Sequence, residues 1–97
     1  MPTALWIANV HVTDEAAYKE YASRATGAIA EHGGVFLARA GKYEQLEGRD
    51  RARNVVARFP SLQAAHDCYH SEAYQAALDF ARGASERDLV IVEEAQS

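Results

Sequence analysis

In GGVFLARAGKYEQLEG, residues 33–48, a cation ends an alternating run of apolar side chains. The alternation predicts a strand in which Val35, Leu37 and Arg39 share one side. A guanidinium among inward-facing aliphatics requires a carboxylate partner, a rim position or a bound anion. Its planar fork suits a carboxylate or an enolate, held through two parallel N–H donors. Two readings follow for Arg39. One is an ion pair with Glu47 or another carboxylate, across the hairpin or a dimer interface; the other is contact with a ligand.

His11 and Asn54 are expected toward the same end of the sheet as Arg39, because the first two strands run in one direction and the third returns. In an enzyme of this kind Arg39 would anchor the anion, and His11 or a tyrosine would move a proton. Tyr18, Tyr21 and Tyr74 fall on helix faces directed at the sheet. Their rings are ordinary core filler with a polar tip, or their hydroxyls donate into a cleft. Tyr21 and Tyr74 are carried forward as substrate-binding candidates. Arg82, near the end of the last helix, either closes that cleft or simply suits the negative end of the helix dipole.

HDCYH, residues 66–70, places His66 and His70 on one helix face. Cys68 is rotated about 200° from His66, and no acidic residue has the zincin position, so no metal is expected. Cys68 reads as a packed thiol, with no local feature that would activate it. Gly33-Gly34 precedes a strand and opens no helix, so it cradles no phosphate. No tightly bound cofactor is expected.

These residues need elements to position them. ALWIANVHV (4–12) alternates as a first strand. Asp14 or Thr13 caps a helix whose stripe is Tyr18, Tyr21, Ala22, Ala25, Ile29 and His32, closed by Gly33-Gly34. Val35–Ala40 is the second strand, and RNVVARF (53–59), stopped by Pro60, the third. Ser61 and Ser71 each cap a helix, which predicts a break near His70–Ser71. DLVIVEE (88–94) is the fourth strand. The order β-α-β-β-α-β is the split βαβ arrangement of a ferredoxin-like α+β fold, a four-stranded antiparallel sheet with helices on one face. Both faces of its strands are largely apolar, and helices cover only one. The bare face is too large for a comfortable monomer, which predicts a homodimer packed sheet against sheet.

The chain has 97 residues, 48% hydrophobic and 25% charged, which fits a single globular domain over 1–97 and no disordered tract. Such a domain buries roughly 60–65% of its unfolded surface. A net charge of −4 argues against a nucleic-acid partner. The cationic run GRDRAR is broken by Asp50 and reads as a solvated loop. No apolar stretch approaches the ~20 residues of a membrane span. The amino terminus lacks a cationic n-region, and Cys68 is the one cysteine. No signal peptide is therefore expected, and a reducing cytoplasm is.

YKEY, GGVFLARAG, LEG, RNVVARFPS, CYHSEAYQ and the terminal VIVEE, in this order over nearly the whole chain, resemble the DUF 1330 family. That family of domains of unknown function lies in the dimeric alpha/beta-barrel superfamily. The resemblance implies a ferredoxin-like subunit and a homodimer whose sheets form a barrel; it implies no established reaction. Relatives in the wider superfamily include cofactor-free monooxygenases, a muconolactone isomerase and haem-binding members. Two departures stand out: Ala40 replaces the first of two glycines usual after the strand arginine, and Cys68 stands where tryptophan is common. The functional expectation is a cofactor-free enzyme or binder for a small carboxylate, phenol or enolisable metabolite. The alternative is a non-catalytic dimeric binding or structural module.

Overall fold

The structure, a computed structural model, describes residues 2–95. Its elements are β1 (Ala4–Val12), α1 (Glu15–Glu31), β2 (Val35–Arg39), β3 (Arg53–Phe59), α2 (Leu62–His70), α3 (Glu72–Ala81) and β4 (Ser85–Glu93). The four strands form one sheet in the order β2-β3-β1-β4, and every neighbouring pair is antiparallel. This is the expected ferredoxin-like α+β arrangement, with the second helical region split in two.

The split has a local cause. Ser71 adopts extended backbone between the helices and closes α2 with its N–H on the Cys68 carbonyl. Its Oγ also accepts from Tyr74 N, opening α3. At the start of α1, Asp14 is the cap and accepts from Ala17 N at 3.1 Å. Gly34 ends that helix under close packing. A Cβ there would stand 2.5 Å from Ile29 Cγ2 and 2.9 Å from Phe59 Cζ, so only glycine fits without displacement.

Ala4, Trp6, Ala8 and Val10 of β1 and Val55, Ala57 and Phe59 of β3 are buried beneath the helices. Tyr18, Tyr21 and Ile29 of α1 meet them from above, and Tyr74 and Leu78 of α3 complete the core. Leu5 and Ile7 point to the other face with Val56, Val90 and Val92, where no helix lies. Val90 is 55% exposed and Val35 61%, so this apolar face is open in the single chain.

Two expectations are corrected. The first concerns Arg39. Val35 pairs with Arg58 and Phe36 with Ala57, but Ala38 then pairs with Val56 and Arg39 with Val55. Leu37 is the extra residue of a bulge, and a one-residue slip exchanges the two faces of a strand. Arg39 therefore shares the helix side with Phe36 and does not stand among Val35 and Leu37. The second concerns β4, which begins at Ser85 and not at Asp88. That shift brings Arg87 into the sheet, opposite Val10.

Candidate functional site

Tyr21 on α1 and Tyr74 on α3 meet over the sheet with their hydroxyl oxygens 2.7 Å apart. Their rings cross almost at right angles, with centroids 5.9 Å apart, and Tyr74 also stands edge-on to Trp6. Arg87 reaches them from β4. Its Nη2 donates to Tyr21 Oη at 2.8 Å and lies 3.4 Å from Tyr74 Oη, while the guanidinium stacks 4.6 Å from the Tyr21 ring centre. Burial lifts both phenols above their ordinary range, and for Tyr21 the neighbouring Tyr74 adds to the rise. Both are neutral donors at neutral pH.

Beside this cluster a narrow cleft runs between α1 and the β2–β3–β1 part of the sheet. Its walls include Tyr18, Tyr21, Thr26, Phe36, Arg39 and Arg53, over a floor of small side chains such as Ala8 and Ala25. It encloses about 30 Å³, room for a water or two and not for a whole metabolite. A ligand would therefore engage its mouth, or enter as Arg39 swings aside.

Arg39 is exposed, so such a movement meets little packing resistance. Its guanidinium lies 4.3 Å from the Phe36 ring centre, and Nη2 donates to Thr26 Oγ1 at 2.5 Å. Arg53 stacks 5.3 Å from the Tyr18 ring centre. Stacking occupies the face of a guanidinium and leaves its in-plane donors free. Among the described residues neither Arg39 nor Arg53 pairs with a carboxylate. The two are diagonal neighbours across β2–β3, since Arg39 pairs with Val55 and Arg53 stands two residues before it. Such neighbours lie about 7–8 Å apart, close enough for long side chains to converge on one anion.

The other expected residues are placed as follows. His11 is exposed on the helix-free face, in register with Glu86 of β4. It reaches the same end of the sheet as Arg39 but the opposite side, so the expected His11–Arg39 grouping does not form within one chain. Asn54 is on His11's side and accepts from Asn9 Nδ2 at 2.7 Å. Arg82 caps α3 and is paired with Asp79 at 2.7 Å; the residue over the tyrosines is Arg87. Glu47 makes no ion pair with Arg39; its backbone carbonyl accepts from the Gln45 side chain. The His66 and His70 rings lie 4.4 Å apart, tilted by 45°, and no group of three or more metal-ligating side chains occurs among the described residues. Burial pushes the Cys68 thiol up to about 11, and it donates to the Ala28 carbonyl at 3.6 Å.

Arg53 and Arg87 were not among the expected residues. Both lie in register with Val10, one on each side of β1, and both face the helices. Arg53 had a signal, because it alternates with Val55, Ala57 and Phe59 onto the buried side. Arg87 had less, since SERD reads as a polar loop unless the strand is known to continue through it.

The sheet order and the helices on one face define a ferredoxin-like α+β domain with a cationic, tyrosine-lined cleft. The chain belongs to the DUF1330 family, a domain of unknown function, whose family model matches residues 3–95. Among solved structures it is similar to a protein of unknown function from Rhodopseudomonas palustris, with TM-score 0.80 and 15% identity, covering 99% of this chain and 85% of that one. A cofactor-independent oxygenase from Streptomyces nogalater gives TM-score 0.67 and 15% identity, over 100% of this chain and 97% of that one. A dimeric protein of unknown function and ferredoxin-like fold from Bacteroides fragilis gives 0.65 and 13%, over 95% and 96%. At these identities the likeness is one of fold. No curated protein matches the chain.

Proposed function

We propose that the chain forms a homodimer, sheet against sheet, and that each protomer binds a small acidic or enolisable metabolite at the Arg39–Arg53 cleft. The observation that carries the binding site is the pair of stacked guanidiniums without carboxylate partners. An exposed and a half-buried guanidinium side by side, neither compensated by a carboxylate among the described residues, favour an anion. Arg39 and Arg53 anchor it, and Tyr21, on the cleft wall and backed by Tyr74, donates to it. His11 does not serve this cleft from its own protomer, and Arg82 takes no part. Turnover without a tightly bound cofactor would be an enolisation, in which an acidic C–H gives its proton to water at the cleft mouth and the guanidiniums hold the enolate until a proton returns from water.

The dimer rests on the open face bearing Val35, Val90 and Val92, and a dimeric relative of the same fold supports it. Sedimentation at micromolar concentration should give twice the 10.6 kDa chain mass, and a stable monomer would remove this part. No described helix is long and apolar enough to cross a membrane, and the single buried thiol suits a reducing cytoplasm.

The narrowness of the cleft favours a second reading, a binding module without turnover. The two readings share the anion site and differ in whether bound ligand is consumed. A thermal-shift panel of small carboxylates and phenols tests the site itself. A ligand bound only by the folded state, at 100 times its Kd, should stabilise by ~2.7 kcal/mol. A panel without a single hit would refute the site; a hit recovered unchanged after prolonged incubation would select the binding module.

A further inference from the structure

Exposure falls along the cleft between α1 and the sheet. Arg39 is exposed and Arg53 and Thr26 are half-buried, whereas Trp6, Ala8, Ala25, Ile29 and Val55 are buried. The charged groups therefore stand at the mouth, and the inner end is walled mostly by carbon. Small side chains make the space there. Ala8 of β1 lies opposite Val55 of β3 on the floor, and Ala25 comes from α1 above them. A gap lined by carbon holds water poorly, and left empty it forfeits packing contacts. An apolar group of a ligand answers both.

We propose that the inner end of the cleft is a slot that selects the ligand by the length of an apolar tail, and that the ligand is a short aliphatic carboxylate. Its carboxylate sits on Arg39 and Arg53 at the mouth, and its tail points inward between Ala8 and Ala25. The inference rests on the reading of the cleft as an acid-binding site and adds the class of acid. The enclosed space of about 30 Å³ takes a water or two, the bulk of a one- or two-carbon group and not of a ring. An acid of about four carbons therefore fills it, and a longer chain meets buried Trp6. Benzoate is held by its carboxylate alone, with its ring outside. Arg39 has only Thr26 and Phe36 as partners, so it can turn to follow the carboxylate as the tail enters. A few polar groups at the rim of an apolar hollow fix orientation, and the depth of the hollow sets which chain fits.

The probes are acetate, propionate, butyrate and hexanoate, titrated into the full chain with binding followed by amide chemical shifts. In the wild type each methylene from acetate to butyrate should tighten Kd about fourfold, the ~0.8 kcal/mol of a buried CH₂. Hexanoate should bind no tighter than butyrate. Ala8→Val, a change that suits a strand, fills the slot from its floor and should remove the dependence on chain length. Val55→Ala widens the floor at the same register and should move the tightest binding to hexanoate; it serves if Ala8→Val does not fold. Saturable binding of equal affinity across the wild-type series, a rise that continues through hexanoate, or a dependence that both variants leave unchanged would overturn the slot while leaving the acid-binding cleft standing. If none of the four acids binds the wild type, the cleft reading fails and this inference with it.

Discussion

Tyr21 and Tyr74, 53 residues apart in the chain, bring their hydroxyl oxygens within 2.7 Å in the interior between two helices and the sheet. Each single change to phenylalanine removes one side of this contact and should cost about 1 kcal/mol. Because the two share the bond and Arg87, the double variant should cost less than the sum by roughly 0.5 kcal/mol or more. Urea unfolding of the four proteins measures this, and strict additivity would show that the hydroxyls do not depend on each other.

The fold should weaken in alkali. The Cys68 thiol is raised from 9.0 to about 11 by burial, so the unfolded chain releases that proton first as pH rises. Its contribution is intact below pH 9 and is lost between there and about 11. Tyr21 and Tyr74, also raised by burial, extend the decline above their ordinary value of about 10. The urea midpoint of Cys68→Ala should start lower, from the lost packing, yet fall less steeply than wild type over the first of these windows. Parallel curves would assign the decline to other groups.

Arg39 has Thr26 and Phe36 as partners and no carboxylate. Glu47→Gln should therefore leave the melting temperature unchanged, whereas breaking a buried ion pair would cost ~3–5 kcal/mol. Arg39→Lys keeps the charge, loses the fork, and should melt near wild type while binding carboxylates more weakly. A fall in stability in both variants, with unchanged ligand affinity, would mean that Arg39 is a structural residue.

Ala40 has φ 57°, in the left-handed region, at the turn that leaves β2. A Cβ in that region costs about 1 kcal/mol or somewhat more. Ala40→Gly should recover part of this, raising stability by about 0.5–1 kcal/mol in urea unfolding. No gain, or a loss, would show that the alanine's smaller unfolded-state entropy outweighs the strain.

Much of this architecture was legible because local rules agreed with one another. Strict alternation delimited β1 and β3, and the paired caps Ser61 and Ser71 announced two helices where the apolar stripe alone suggests one rod. What escaped was set by tertiary pairing. Nothing in VFLAR marks Leu37 as a bulge, so counting by twos placed Arg39 on the wrong face. SERD carries no β signal of its own and becomes strand because β1 is long enough to pair with it up to Ser85. That pairing is what delivers Arg87 to the tyrosines. The tyrosine stripes were visible as helix faces, but their meeting depended on the packing of α1 against α3.

In the proposed binding site Arg39 and Arg53 hold the carboxylate of a small acid. Isothermal titration of benzoate into the wild type and Arg53→Gln tests it directly, with circular dichroism confirming that the variant is folded. Saturable binding is expected in the wild type, with at least a tenfold weaker Kd in Arg53→Gln, about 1.4 kcal/mol. Equal affinity in the two proteins, or no binding to the wild type at millimolar benzoate, would contradict it.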